Sequence, residues 1–198
     1  MPRTTNLALL LAAAAIGCAG GGPASGTRPA RTSAAARPAD FFPLAVGHRW
    51  TFLDRSPQAA EPSRRTVTIL SRDPQGYYLD DQRGALRADH DCLQDRARRL
   101  LCAPIEVGRT WTSVVGPSVT ERYEIAGVEE MVTVPAGTFR GCVRVRSQVR
   151  AAGVEQVAEL TYAPGVGPVR LETFAVVNGV ANPQVHGELE SYSVGGVP

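Results

Sequence analysis

The chain has 198 residues, 21 basic and 19 acidic side chains, a formal net charge of +2 and 43% hydrophobic residues. Four arginines and no acidic residue precede Asp40, which leaves 17 arginines against 19 carboxylates in the remainder. A near-neutral body lacks the basic footprint of a nucleic-acid binder. Lysine is absent altogether, so the arginine content reads as compositional bias and not as selection for phosphate.

Arg3 and the apolar run Leu7 to Ile16 have the layout of an export signal, because ten residues are too few to span a bilayer as a helix. The run ends in Ala15-Ile16-Gly17-Cys18. Small residues followed directly by cysteine resemble the bacterial lipoprotein signal, or lipobox; the alternative is a plain secretory signal with a chance cysteine. The resemblance implies that residues 1–17 are a signal peptide, removed before Cys18, and that Cys18 carries lipid. Ala19 resembles the pattern that is not retained at the inner membrane, which implies an anchor in the outer membrane of a double-membraned bacterium. Residues 18–39 then form a tether. From Ala19 to Ala39 the chain holds no aromatic or large aliphatic side chain, so it cannot bury enough apolar area to offset the entropy of ordering. Random-coil scaling gives it a span of roughly 25 Å.

From residue 40 to 198 the apolar pattern has period two, interrupted by frequent turns, and predicts one β-rich domain. Strands are expected over 48–54, 65–71, 77–80, 85–89, 111–115, 119–126, 128–134, 142–150, 156–162, 169–177 and 185–194. Asp73-Pro74-Gln75-Gly76, Gly116-Pro117, Pro135-Ala136-Gly137 and Val177-Asn178-Gly179 mark turns between them. Eleven short strands with single-sided alternation need one shared apolar interior. The expected fold is all-β, mostly an antiparallel meander, wrapped into a strongly curved or partly closed, half-barrel-like sheet. A two-sheet sandwich is the alternative.

Pro43-Leu44-Ala45-Val46-Gly47-His48-Arg49-Trp50-Thr51 is echoed 61 residues later by Pro104-Ile105-Glu106-Val107-Gly108-Arg109-Thr110-Trp111-Thr112. The echo points to two similar subunits, 43–103 and 104–198. In each, a proline–glycine turn launches a strand and a tryptophan anchors it in the core. The functional alternative makes Trp50 and Trp111 a ligand platform.

Cys92 and Cys102 are equidistant from Ala97. A hairpin centred there sets them opposite one another, at a separation that a disulfide can bridge, and an exported compartment permits oxidation. Such a bridge stabilises by roughly 3 kcal/mol on the chain-entropy model. Cys142 is then a buried free thiol. Asp89-His90-Asp91-Cys92 has metal-ligand character, but neighbours on a strand point to opposite faces and no second Cys/His pair has zinc spacing. It reads as a polar hairpin edge, with no metal. The sequence has no nucleophile elbow, zinc-protease helix motif, phosphate loop or dinucleotide fingerprint. Glu188 and Glu190, on one strand face, read as solvated side chains and not as an acid–base pair. No enzyme activity and no cofactor is expected.

Phe42-Pro43-Leu44 through Trp50, Val134-Pro135-Ala136-Gly137-Thr138-Phe139 with Cys142 and Val145, and Tyr162-Ala163-Pro164-Gly165-Val166-Gly167 together resemble a family of bacterial secreted proteins and lipoproteins. The resemblance spans most of residues 41–178. It implies a β-rich exported protein and transfers no catalytic residue. Two functions follow. The leading one is a non-enzymatic structural or interaction module, lipid-anchored in the cell envelope and meeting an envelope protein partner. The other is a carrier holding a lipid or other apolar ligand in the concave face of the sheet, with Trp50, Trp111, Phe139 and Tyr162 as candidate ligand or rim residues. A packed concave face favours the first, and an apolar cleft open at one end favours the second.

Overall fold

A computed structural model describes residues 36–151 and 153–195. The signal segment 1–17, Cys18 and the tether up to residue 35 lie outside the described residues. A single helical turn, α1 (Pro38–Phe41), is followed by β1 (Arg49–Arg55), β2 (Ser63–Arg72), β3 (Tyr78–Asp80), β4 (Ala85–Ala88), β5 (Cys92–Gln94) and β6 (Arg99–Cys102). Then come β7 (Thr110–Gly116), β8 (Val119–Val134), β9 (Gly137–Ala151), β10 (Val154–Ala163), β11 (Gly167–Val177) and β12 (Val180–Ser193). This helical turn begins at Pro38, inside the stretch read as tether, and the Asp40 carboxylate accepts the Arg37 amide and guanidinium at 2.8 and 3.0 Å.

The all-β expectation holds. All strands belong to one twelve-stranded antiparallel sheet in the order β6-β5-β4-β3-β2-β1-β12-β11-β10-β9-β8-β7. Every neighbour is a neighbour in sequence except the β1–β12 pair, so two six-strand meanders stand side by side and curl into a nearly closed barrel. Twelve strands replace the expected eleven for two local reasons. The segments 119–126 and 128–134 are one strand interrupted by bulges, which bend a strand without ending it. The hairpin around Ala97 contributes β5 and β6, where the charged loop between them interrupts any alternation.

The barrel does not close by a ladder. Strands β6 and β7 meet through side chains. The Arg99 amide donates to Ser113 Oγ at 3.0 Å, and the Arg99 guanidinium donates to the Thr112 carbonyl at 2.7 Å. The Trp111 indole N–H donates to the Arg99 carbonyl at 2.6 Å. Beside them Arg98 pairs with buried Glu121 at 2.8 Å, and the Cys92–Cys102 disulfide ties β6 to β5.

The echoed segments adopt the same turn. Gly47 and Gly108 have φ of +87° and +85°, a conformation that side chains beyond glycine adopt at a cost. Each glycine amide donates to an isoleucine carbonyl (Ile69, Ile125), and each isoleucine amide donates back to the residue after the glycine (His48, Arg109), all at 2.9 Å. Both tryptophans are then buried, and each indole N–H reaches a distant carbonyl: Trp50 to Val166 at 2.7 Å, Trp111 to Arg99.

Bulges at Ile125/Gly127, Gly127/Glu130 and Glu130/Val132 bend the β8–β9 hairpin, with Glu129 and Gly141 at positive φ. Its tip leans over the outer wall as far as β12. The Ala136 amide donates to the Leu189 carbonyl at 3.0 Å, Arg170 donates to the Thr133 carbonyl at 2.8 Å, and Phe139 meets Tyr192 with ring centroids 5.9 Å apart. This places the 134–139 motif against the barrel wall, with Cys142 fully buried nearby.

Because a lost side-chain hydrogen bond costs about 1 kcal/mol, the Ser113→Ala/Trp111→Phe double variant should lose about 2–3 kcal/mol by denaturant unfolding. Native-state hydrogen exchange should quicken at the β6 amides while the β1–β12 ladder keeps its protection.

Candidate functional site

Alternation sends Trp50, Phe52 and Asp54 of β1 to the barrel interior, opposite Val67, Arg65 and Ser63 of β2. Leu160 and Tyr162 of β10 and Leu171 of β11 face them from the other wall. These side chains do not fill the space. All of them but Asp54 and Ser63 line a cleft of about 250 Å³, together with Phe42, Asp80, Leu86, Leu100 and Pro168. That is larger than the roughly 150 Å³ apolar cavity that stays dry and takes a benzene-sized guest, and sits just below the usual range of ligand pockets.

The floor is rigid. Trp50 and Tyr162 are each 1% exposed, and Phe42 packs edge-on against Trp50 with centroids 4.9 Å apart. Gly167, the last residue of the 162–167 motif, has φ of +114°, and a Cβ there would stand 3.0 Å from both the Phe42 ring and the Trp50 indole nitrogen. Only glycine allows the chain to pass so close to the floor. Burial pushes the Tyr162 phenol well above its ordinary range, so it stays neutral.

The mouth is polar and half-exposed. Arg65 donates from Nε and Nη2 to the two Asp54 oxygens at 2.8 and 3.2 Å, and its guanidinium lies 4.7 Å over the Phe52 ring. Asp80 Oδ1 accepts the Gln82 and Gly84 amides at 2.9 and 2.7 Å, closing the β3–β4 turn. Val67, Leu86, Leu100, Leu160 and Leu171 are half-buried although all face inward.

Of the four aromatics picked from the sequence, Trp50 and Tyr162 line the cleft. Trp111 stands at the seam, stacked on Tyr123 with centroids 5.5 Å apart. Phe139 lies on the β8–β9 hairpin. Sequence reading missed Phe42, Phe52, Arg65, Asp80 and Leu100 as liners. Arg65 left a signal: it shares a strand face with Val67 and Ile69, a charge in phase with apolar residues. Asp80 and Leu100 left none, since each sits at the edge of a turn or loop, where an inward-facing side chain cannot be told from an outward one by alternation.

Several polar groups outside the cleft are occupied by one another. The outer wall carries Arg144 between Glu130 and Glu159, at 3.1 and 3.0 Å. Glu188 takes Arg55 at 3.1 Å and Glu190 takes Arg64 at 2.7 Å, so these two glutamates sit in outer-face ion pairs. Asp89 Oδ1 accepts the Asp91 and Cys92 amides at 3.0 and 2.8 Å. Among the described residues, no group of three or more His, Cys, Asp and Glu is placed to hold a metal ion. Among them, too, no helix is long and apolar enough to cross a membrane.

No family model matches the sequence, and no curated protein matches it. Two solved structures are similar. One is a candidate exported protein with a YmcC-like fold from Bacteroides fragilis, 15% identical, covering 77% of this chain and 98% of that one, with a TM-score of 0.46. The other is a candidate lipoprotein from Parabacteroides distasonis, also 15% identical over 77% and 98% of the two chains, with a TM-score of 0.45. Likeness of that degree transfers no function.

Cys142 tests the hairpin. It is unpaired and buried, and burial raises its thiol above the ordinary range, with Glu130 adding to the effect. In Cys18→Ser protein at neutral pH, a maleimide should leave Cys142 unlabelled in the folded state and label it fully in denaturant. Prompt native labelling would show that the hairpin lifts off the wall.

Proposed function

We propose that this protein is an exported, lipid-anchored, non-enzymatic component of the cell envelope, and that its barrel holds an apolar ligand. The single observation that carries the ligand reading is the cleft. Five inward-facing aliphatic side chains stay only partly buried around a space of about 250 Å³, where a purely structural barrel would bury them fully. A packed concave face would favour the interaction module; the cleft in it favours the carrier. Anchoring rests on the Cys18 signal and the tether behind it. A single acyl chain, at about 0.8 kcal/mol per methylene, binds membranes only marginally, whereas an N-terminus carrying several is held durably.

Cys18→Ser should move the protein from the membrane pellet to the soluble fraction. Continued pelleting of that variant would overturn the lipid-anchor reading. Native mass spectrometry of the same variant, exported and purified without detergent, should show an added mass of lipid size that disappears on denaturation. Leu100→Trp, which places an indole in the cleft, should abolish the added mass without lowering the melting temperature by more than a few degrees. A bare mass that stays bare when apolar ligand is supplied would leave the interaction module as the better reading.

A further inference from the structure

We infer that the cleft takes a single-chain amphiphile whose head group donates hydrogen bonds and carries no negative charge. This rests on reading the cleft as a ligand site, and it is decided by the two charged side chains that line it, Arg65 and Asp80.

Arg65 is the obvious partner for an acidic head, but its charge is already committed. Its Nε and Nη2 both serve Asp54, whose side chain is only 17% exposed against 38% for Arg65, and its plane rests on Phe52. Its Nη1 hydrogens are not used on Asp54, but with that carboxylate already held the pair is neutral and offers an anionic head no net positive charge. Asp80 has no such cationic partner. Among the described residues its Oδ1 accepts two backbone amides, and no protein donor reaches Oδ2. Arg65, Asp54 and Asp80 together leave one net negative charge at the mouth. Apolar walls raise the effect of that charge over its value in water. An anionic head is repelled, while a hydroxyl or ammonium group finds a free acceptor in Asp80 Oδ2.

The apolar part sets the tail. A methylene is about the size of a water molecule, which occupies roughly 30 Å³ in the liquid. A space of about 250 Å³ then holds roughly eight methylenes, one chain and not two. Trp50, Tyr162 and Phe42 close the far end, so the head stays at the mouth beside Arg65 and Asp80.

The test is isothermal titration calorimetry of the detergent-free Cys18→Ser chain with 1-decanol, decylamine and decanoate, each below its aggregation limit at neutral pH. Decanol and decylamine should bind at least tenfold more tightly than decanoate, and Leu100→Trp should abolish the binding. Asp80→Asn keeps the Oδ1 acceptor of the turn and removes the charge. It should narrow the decanol-to-decanoate ratio to less than threefold by strengthening decanoate. Decanoate binding as tight as decanol, or a ratio untouched by Asp80→Asn, overturns the head-group inference and leaves the cleft reading standing. Failure of all three compounds to bind overturns the cleft reading and the inference with it.

Discussion

Closing one sheet on its own apolar face leaves a last pair of edges to join, and here that join is made by side chains. Strands β6 and β7 are too unequal, four residues against seven, to share a full ladder. The Trp111 indole, the Ser113 hydroxyl and the Arg99 guanidinium take over what backbone groups do elsewhere in the ring. The disulfide one strand away restrains β6, so its short edge stands ready for those bonds. An unjoined edge would present free backbone groups to any passing strand. The interior depends on the same seam, because Leu93 and Leu101, both fully buried, reach the core only if the β5–β6 hairpin stays against β7.

The echoed turns distribute two similar anchors around the barrel. Each places a glycine at positive φ, exchanges two backbone bonds with the following hairpin, and buries a tryptophan whose indole nitrogen fastens a distant segment. The anchors diverge in what they fasten. Trp111 holds the seam, and Trp50 holds the 162–167 turn and so becomes the floor of the cleft. One sequence motif thus serves closure on one side and the candidate site on the other.

Inside the barrel, apolar burial and electrostatics pull apart. Fully burying a leucine or valine contributes about 1.5–3 kcal/mol, yet several inward aliphatic side chains remain only partly buried around the cleft. The Asp54–Arg65 pair at the mouth is partly exposed, so its own contribution is no more than about 1 kcal/mol. In the ligand site proposed above its larger effect would be on selectivity, since it neutralises Arg65, the one cation among the described residues lining the cleft, and leaves the Asp80 carboxylate without a cationic partner.

Much of this architecture was legible in the residues. Period-two alternation and closely spaced turn signals specify an all-β meander, because a strand reports its two faces residue by residue. The equal spacing of Cys92 and Cys102 about Ala97 marks a hairpin for the same local reason. β5 and β6 escaped as strands because the charged loop around Ala97 interrupts any alternation between them, and β8 was divided because a bulge breaks the alternation without ending the strand. The resemblance to a lipobox at Cys18 is likewise carried by contiguous residues. The cleft is not local. It exists because β1, β2, β6, β10 and β11, far apart in sequence, face one another across the barrel without filling it. Whether Arg65 is free or already paired depends on Asp54 standing opposite, a matter of register across strands. By itself, then, the sequence determined the strand class and the meander, both written in neighbouring residues. Only the tertiary structure decided that the barrel closes through side chains and that its interior is left unfilled, because both depend on how distant strands meet.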